Sequence, residues 1–505
     1  MNHKKILLPV LVGSAFLLGS CGEDDAGPVF PVITSSASAP VPASSAVAPL
    51  PESSSAVVPP ASSAVAPLPE SSSAVAPPAS SAVAPLPASS ASAPTPVNYA
   101  PLATSANKTI ASTIYTQWKS YHFVTKETEA TYYASIADDF SEVFTAAYEP
   151  AGRVVWSAQS SYYKASCSVS DATVATMKLR GCSVSEGIGY GMLLAYFNND
   201  IDTYNRLWNY TRAYREYNRA KLMPWITMSF YWIAVDNTSA TDADLDIATS
   251  LILMYYKLKA QGNASADAYL ADALTFVNAI WEKEVNPSTL LIYSGDDARW
   301  KTANAAYNLS YFSPVAIRLF AAVDPSHNWQ GVLDANYAYM KKVQDAGTGV
   351  FPDWSDANGK AIDPDNGSAK NTYWLFNKES VRIPWRIAWD YYWYQDPRAG
   401  AILTTLNEFI SKKASGNPDD KALAVSYSWN LSVGKDNTSG TTGSNHWYGA
   451  WCATGIAGNS TWLEKCTTGL NTKQKTLSNG PSSYFIDILT TMYSGLLNGL
   501  FARPF

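Results

Sequence analysis

Residues 240–260 read ATDADLDIATSLILMYYKLKA. Within them Ala248, Leu251, Ile252, Tyr255 and Leu258 recur at spacings of three and four, which places them on one face of an α-helix over 247–260. The same period predicts helices over 186–197, 201–217, 264–284, 314–323 and 329–346. Between them lie stretches rich in Trp, Tyr, Asp and Asn, such as Ser294-Gly295-Asp296-Asp297 and Pro352-Asp353-Trp354, which read as loops. No strand and helix alternation of the βαβ kind is visible, and no second linker interrupts 99–505, so the pattern predicts one large all-α domain.

Composition narrows what such a domain does. Residues 1–98 hold no Trp or Tyr and only Phe16 and Phe30, so 62 aromatics fall in the 407 residues from Tyr99 onward. That share is roughly twice the ordinary one and suits either a stacking surface or a large helical core. The same 407 residues carry 34 Lys and Arg against 37 Asp and Glu, with no basic block, which excludes nucleic acid as a partner. The four His (His3, His122, His327 and His446) are not spaced as a zinc site. Gly187, Gly189 and Gly191 alternate and do not form a phosphate or dinucleotide loop. No metal or organic cofactor is therefore expected, and the chemistry must rest on carboxylates and aromatics.

The N-terminal part reads as an address and a tether. Lys4 and Lys5, the apolar run from Ile6 to Leu18 and the tetrapeptide Leu18-Gly19-Ser20-Cys21 predict a signal peptide over 1–20. The tetrapeptide resembles the bacterial lipobox, where the signal is cut before the Cys and the sulfur is lipidated, so Cys21 is the expected anchor to a membrane. An ordinary signal with a chance Cys is the alternative. Of the remaining cysteines, Cys167 with Cys182 and Cys452 with Cys466 form two local pairs, which predict disulfides in an oxidising compartment. Residues 28–96 are almost wholly Pro, Ala, Ser and Val, with a unit of 18 residues recurring from Ser44, Ser62 and Ser80. Proline breaks helices and nothing large is available to bury, so 21–98 is expected to be a disordered spacer. Fully extended at ~3.1 Å per residue, the roughly seventy residues of 28–96 would reach about 200 Å. The expected location is the bacterial cell envelope, at the surface or in the periplasm, with the domain over 99–505 held away from the membrane.

Three acidic segments stand out in that domain. In Ser185-Glu186-Gly187-Ile188-Gly189-Tyr190-Gly191-Met192 one carboxylate starts a helix amid three glycines. Either something approaches that backbone closely or Ser185 and Glu186 merely favour the helix N-terminus. In Ala240-Thr241-Asp242-Ala243-Asp244-Leu245-Asp246 the alternating Asp suggest a calcium loop, but Ile247 and Leu253 stand where such a loop needs Gly and a carboxylate. These acids fit a loop and first helical turn. In Asn377-Lys378-Glu379-Ser380-Val381-Arg382-Ile383-Pro384-Trp385-Arg386 two Arg flank a Glu and a Trp, as a structural ion cluster or as partners that keep a base ionised.

In this order the three segments resemble glycoside hydrolase family 8. Further matches are Leu222-Met223-Pro224-Trp225, Asn308-Leu309-Ser310-Tyr311-Phe312-Ser313-Pro314, Phe351-Pro352-Asp353-Trp354 and the run from Arg382 to Arg386 leading to Asp390-Tyr391. The resemblance spans about residues 150–400 and departs at Met254 and Leu258, where Ala and Trp are usual. It implies an (α/α)6 barrel in which six inner and six outer helices surround a cleft. It also implies that Glu186 is the general acid, that Asp242 binds and distorts the sugar at the cleavage point, and that Tyr311 orients the attacking water. Members invert the anomeric carbon, so acid and base should stand ~6.5–9.5 Å apart.

One departure concerns the base, which in the commonest subfamily is an Asp three residues before the conserved Arg. Counting back from Arg382 gives Glu379, a carboxylate one methylene longer. A chitosanase-containing subfamily takes its base from a loop, which leaves Asp353, Asp356, Asp363 and Asp365 as rivals. Trp225, Trp354 and Trp385 are candidate sugar platforms or core residues, and Asp244 and Arg382 candidate substrate contacts. The resulting expectation is a monomeric, inverting, endo-acting β-1,4-glycanase on a β-linked polysaccharide or oligosaccharide. Cellulose or mixed-linkage β-glucan is preferred, with xylan and chitosan open, and a surface glycan-binding lipoprotein with little turnover is the alternative of another class. Residues 412–479, with Asn445-His446-Trp447-Tyr448, are expected to be irregular loops over the barrel.

Overall fold

Helices that are apolar on every side alternate along the chain with helices apolar on one stripe, and that alternation sorts them into two rings. The computed structural model describes residues 98–129, 148–156, 182–228, 234–364, 372–438, 445–473, 477 and 483–503. Among them are α1 (Lys108–His122), α2 (Ser185–Phe197), α3 (Ile201–Tyr217), α4 (Thr241–Ala260), α5 (Ala266–Glu284) and α6 (Pro314–Val323). They are followed by α7 (Trp329–Asp345), α8 (Ile383–Tyr394), α9 (Pro397–Lys413), α10 (Asn445–Ala453), α11 (Ser460–Lys473) and α12 (Tyr484–Leu497). Helices α2, α4, α6, α8, α10 and α12 pack side by side in that order, and α12 returns to α2, closing an inner ring. Each of α3, α5, α7, α9 and α11 folds back on the helix before it, and α1 lies on α12, giving the outer ring. The fold is therefore an (α/α)6 barrel. Burial agrees: α2 is buried from Ser185 to Tyr196 and α4 from Thr241 to Met254, whereas α7 and α9 bury only spaced residues.

Because every outer helix runs back, the inner helices share one direction and their N-termini collect at one end of the barrel. Short antiparallel pairings brace the connections that deliver those N-termini. The strands β1 (Phe123–Thr125) and β2 (Gly152–Val154) pair, and β3 (Cys182–Val184), β4 (Pro224–Met228) and β5 (Ala234–Ser239) form a sheet in that order. Strand β3 runs straight into α2, and β5 ends two residues before α4. A last pair joins β6 (Leu375–Phe376), ahead of α8, to β7 (Tyr427–Ser428), which follows α9. Among the described residues no helix is long and apolar enough to cross a membrane.

The predicted limits of α3 and α6 coincide with the observed ones, while α4 begins at Thr241, six residues before the apolar pattern does. Its extra turn holds Asp242 and Asp244, poor helix formers in general but favoured at the positive end of the helix dipole. The expectation of irregular loops over 412–479 is corrected, since α10 and α11 lie there. The glycines that read as loop residues are places where rings press on a helix. A Cβ on Gly449 would stand 2.6 Å from Tyr493, and one on Gly469 would stand 2.1 Å from the hydroxyl of Tyr448. The Cys452–Cys466 disulfide ties α10 to α11 with their Cα atoms 5.3 Å apart. Cys182 is also disulfide-bonded. Cys167, Cys21, the signal segment, the spacer up to residue 97 and Asp365 lie outside the described residues.

Candidate active site

The acidic segments converge because each one opens an inner helix. Glu186 is in the first turn of α2 and Asp242 in the first turn of α4. Tyr311 closes a 3-10 turn, Leu309–Tyr311, just ahead of α6. Glu379 precedes the 3-10 turn Ser380–Arg382, which continues into α8. Tyr484 is the first residue of α12. Positive helix ends thus face a common region and favour anionic side chains there.

At the centre is the guanidinium of Arg382, whose residue is 1% exposed. Its Nη1 donates to Glu186 Oε2 and, at 3.0 Å, to Asp242 Oδ2, while Nη2 donates to Glu379 Oε2. Three carboxylates from three segments of the chain therefore share one cation. Glu186 and Glu379 sit on different nitrogens of the fork, so two charge-assisted bonds of ~2.8 Å and the width of a guanidinium bound the separation of the two bonded oxygens at about 8 Å. The Tyr311 ring lies beside the fork, 5.2 Å from its central carbon.

Burial sets the electrostatics. It pushes the carboxyls of Asp242 and Glu379 upward, and Arg382 opposes the shift in both. For Glu379 a second opposing partner is Asn308, whose Nδ2 donates to Oε2 at 2.6 Å. Burial works against the charge of Arg382, but Glu379, Glu186 and Asp242 together hold it cationic. Burial likewise keeps the Tyr311 phenol protonated far into the alkaline range.

Asp353, the foremost rival base, is used differently. Its Oδ1 accepts from the backbone N–H groups of Asn377 (3.1 Å), Glu379 (3.1 Å) and Ser380 (2.9 Å) and from the Ser380 hydroxyl (2.8 Å). It pins the turn that presents Glu379, and burial with the nearby Glu379 charge pushes its carboxyl up to about 7. Asp356 is spent on its own turn, accepting from the backbone of Asn358 and Lys360. Asp363 is half-buried on the same loop.

A second ion pair lies below the first. Asp246, one turn along α4 from Asp242, accepts a bidentate bond from Arg386 at 2.8 and 2.9 Å. The close packing of α2 on α4 needs Gly189, where a Cβ would stand 3.0 Å from Asp246 Cβ and 3.1 Å from the Ala243 carbonyl. What approaches the glycines of α2 is thus protein.

Two candidate substrate contacts are corrected by their burial. Trp385 is 0% exposed, stacked on Trp389 at 5.8 Å and edge-on to Tyr190 at 5.6 Å, so it belongs to the core and offers no sugar platform. Asp244 is also 0% exposed and its Oδ1 accepts from the Met223 backbone at 3.0 Å, so it braces the loop before β4. Trp354 has one face on Trp300, with ring centroids 5.5 Å apart and planes 7° apart, and its edge meets Tyr311. Trp225 is half-buried on β4 beside Trp156 and keeps accessible surface. Arg382 is buried by the carboxylates it joins and acts as their organiser.

Two residues of the cluster escaped sequence reasoning. Asn308 stood in a quoted motif without a role, and only its bond to Glu379 reveals one. Tyr484, whose hydroxyl donates to Glu186 Oε1 at 2.7 Å, had no local signal, because its partner is 298 residues away.

Comparison with known proteins agrees with this fold. The model of the family described as Glycosyl hydrolases family 8 matches residues 139–443. The chain is similar to Endoglucanase C of Ruminiclostridium cellulolyticum, at 32% identity over 240 residues, covering 47% of this chain and 49% of that protein. It is also similar to a Beta-glucanase of Niallia circulans, at 30% identity over 334 residues, covering 63% of this chain and 77% of that protein. The aligned part thus spans about half the length of the first of these relatives and more of the second. Among solved structures, the apo Beta-1,3-1,4-glucanase from Paenibacillus sp. X4 has the same fold, with a TM-score of 0.61 at 23% identity over 80% of this chain and 95% of that one.

Proposed function

The chain belongs to glycosyl hydrolase family 8, and on that premise we propose that it is an inverting, endo-acting hydrolase of β-1,4-linked glucan, cellulose or mixed-linkage β-glucan. The observation that carries the reading is the fork of Arg382, which sets two carboxylates from opposite parts of the barrel about one site. Glu186 gives its proton to the glycosidic oxygen as the bond to the anomeric carbon breaks. Glu379 takes a proton from a water, whose oxygen attacks that carbon from the other face. Tyr311 orients the water, and Asp242 holds the sugar at the cleavage point. One proton leaves the cluster and one arrives, so Arg382 faces the same total charge before and after. The upper limit of about 8 Å between the two oxygens bonded to Arg382 overlaps the ~6.5–9.5 Å that inversion needs. The relatives named endoglucanase and beta-glucanase support glucan over xylan or chitosan.

The test is reducing-sugar release from carboxymethylcellulose, mixed-linkage β-glucan, xylan and chitosan, for wild type and Glu186→Gln. The glucans should be cleaved fastest, and Glu186→Gln should lose that activity. Undiminished activity in the variant removes Glu186 as the acid. Preference for xylan or chitosan overturns the substrate, and binding without turnover overturns the enzymatic reading.

The envelope location is part of the same proposal. Leu18-Gly19-Ser20-Cys21 and the Pro, Ala and Ser spacer support a catalytic domain tethered to a bacterial membrane through lipidated Cys21. Labelling of cells with radioactive palmitate should mark the wild type and not Cys21→Ala, and equal labelling of the two contradicts the anchor.

A further inference from the structure

We propose that Tyr484 is a positioning residue for the acid step, fixing the carboxyl of Glu186 and stabilising the carboxylate that proton transfer leaves behind. The inference rests on Glu186 being the acid, and it concerns a residue outside the 139–443 stretch that the family model matches.

Both oxygens of Glu186 are engaged, Oε2 by Arg382 and Oε1 by the Tyr484 hydroxyl at 2.7 Å. A proton on Oε2 would confront the guanidinium, so the transferable proton belongs on Oε1. A protonated Oε1 still has a lone pair for the Tyr484 hydroxyl while its own hydrogen points at the glycosidic oxygen. As that hydrogen leaves, the bond from Tyr484 becomes charge-assisted and strengthens. Tyr484 therefore helps the transition state more than the resting enzyme, which is what accelerates a step. Burial keeps its phenol protonated, so it remains a donor throughout.

The ring is held as a positioning group must be. Tyr484 is 4% exposed, and Ser483 caps its helix by accepting from the Ile486 backbone at 3.2 Å. One turn on, Asp487 meets the buried His122 of α1 at 2.8 Å, clamping α12 to the outer ring. On the other side the ring rests on the α2 backbone next to the acid, where a Cβ on Gly187 would stand 2.9 Å from Tyr484 Cε2. Among the described residues the other charged or titratable groups around Glu186 are Arg382, Asp242, Asp246, Glu379, Tyr190 and Tyr311, and Tyr484→Phe leaves all of them in place.

The experiment compares wild type, Tyr484→Phe, Gly187→Ala and Glu186→Gln on mixed-linkage β-glucan and on a dinitrophenyl β-cellotrioside, whose leaving group needs no proton. A lost bond to a charged group predicts a fall in kcat on β-glucan of roughly tenfold to a hundredfold for Tyr484→Phe, with KM nearly unchanged. On the dinitrophenyl substrate the fall should stay below about threefold. Without a donor favouring the ionised form, the alkaline limb of the kcat/KM profile on β-glucan should move to higher pH. Gly187→Ala, which displaces the ring but keeps the hydroxyl, should show the same selectivity between substrates. Equal losses on both substrates with an unmoved limb make Tyr484 merely structural, and normal activity of Tyr484→Phe on β-glucan removes the proposal. Either outcome leaves Glu186 as the acid if Glu186→Gln is inactive on β-glucan yet cleaves the dinitrophenyl substrate. Activity of Glu186→Gln on β-glucan overturns the acid assignment itself.

Discussion

Replacing Arg382 by Met keeps an unbranched apolar stem and removes the charged fork. Glu186, Asp242 and Glu379 then lose their common cation, while Tyr484, the Ala243 backbone and Asn308 remain as donors to them. Stripping the partner from a buried ion costs about 3–5 kcal/mol. The alternative is for a carboxyl to take up a proton, which at pH 7 costs about 4 kcal/mol for a group with an ordinary pKa near 4. That cost is smaller for Asp242 and Glu379, which burial already pushes upward. The loss at pH 7 is therefore at most about 4 kcal/mol, a fall in Tm of up to about 5–10 °C for a barrel of this size. The sign of the pH dependence follows from proton uptake. With the cation gone, the carboxyls of Asp242 and Glu379 are raised further, so the folded variant binds more protons than folded wild type. Its deficit is largest above those raised values and shrinks as pH falls toward the ordinary carboxylate range. Thermal unfolding of both proteins at pH 7.5 and pH 4.5 should show a Tm gap that narrows in acid. A gap of the same size at both pH values, or none at pH 7.5, refutes the shared-cation account.

Three further outcomes follow from particular contacts. Asp353→Asn keeps an oxygen that can accept from the 377–380 turn and should retain most activity, whereas Asp353→Ala frees that turn and should lower kcat roughly tenfold; near-complete loss of activity in both variants would make Asp353 the base. Gly189→Ala drives a methyl between α2 and α4 and should cost about 1–3 kcal/mol in denaturant unfolding, an unchanged midpoint contradicting the packing. Trp385→Ala should destabilise the fold by about 3–5 kcal/mol, while Trp225→Ala should chiefly raise KM for β-glucan, and a swap of those phenotypes would reverse their placement as core and platform.

The sequence disclosed the barrel where apolar period and helix coincide. It hid helices where packing replaces the period: α8 is so dense in Trp and Tyr that no stripe is visible, and α10 and α11 use small residues as seats for rings. The acids were legible because each lies within a few residues of a helix start, where local signals are strongest. Their common partner was legible only as a neighbour of Glu379, since the bonds of Arg382 to Glu186 and Asp242 join residues 196 and 140 positions apart. For the same reason the core role of Trp385 could not be told from a sugar platform, because stacking on Trp389 and stacking on a sugar leave the same residue in the sequence.

The most direct test of the central claim is the anomeric configuration of the first product. Mixed-linkage β-glucan is digested with concentrated enzyme, and the reducing-end proton is followed by NMR within the first minutes, before mutarotation. An acid and a base that place water between Glu379 and the sugar predict that the α-anomer signal rises first and the β-anomer only later. A β-anomer that appears first would mean retention through a covalent intermediate and would contradict the assignment of Glu186 and Glu379.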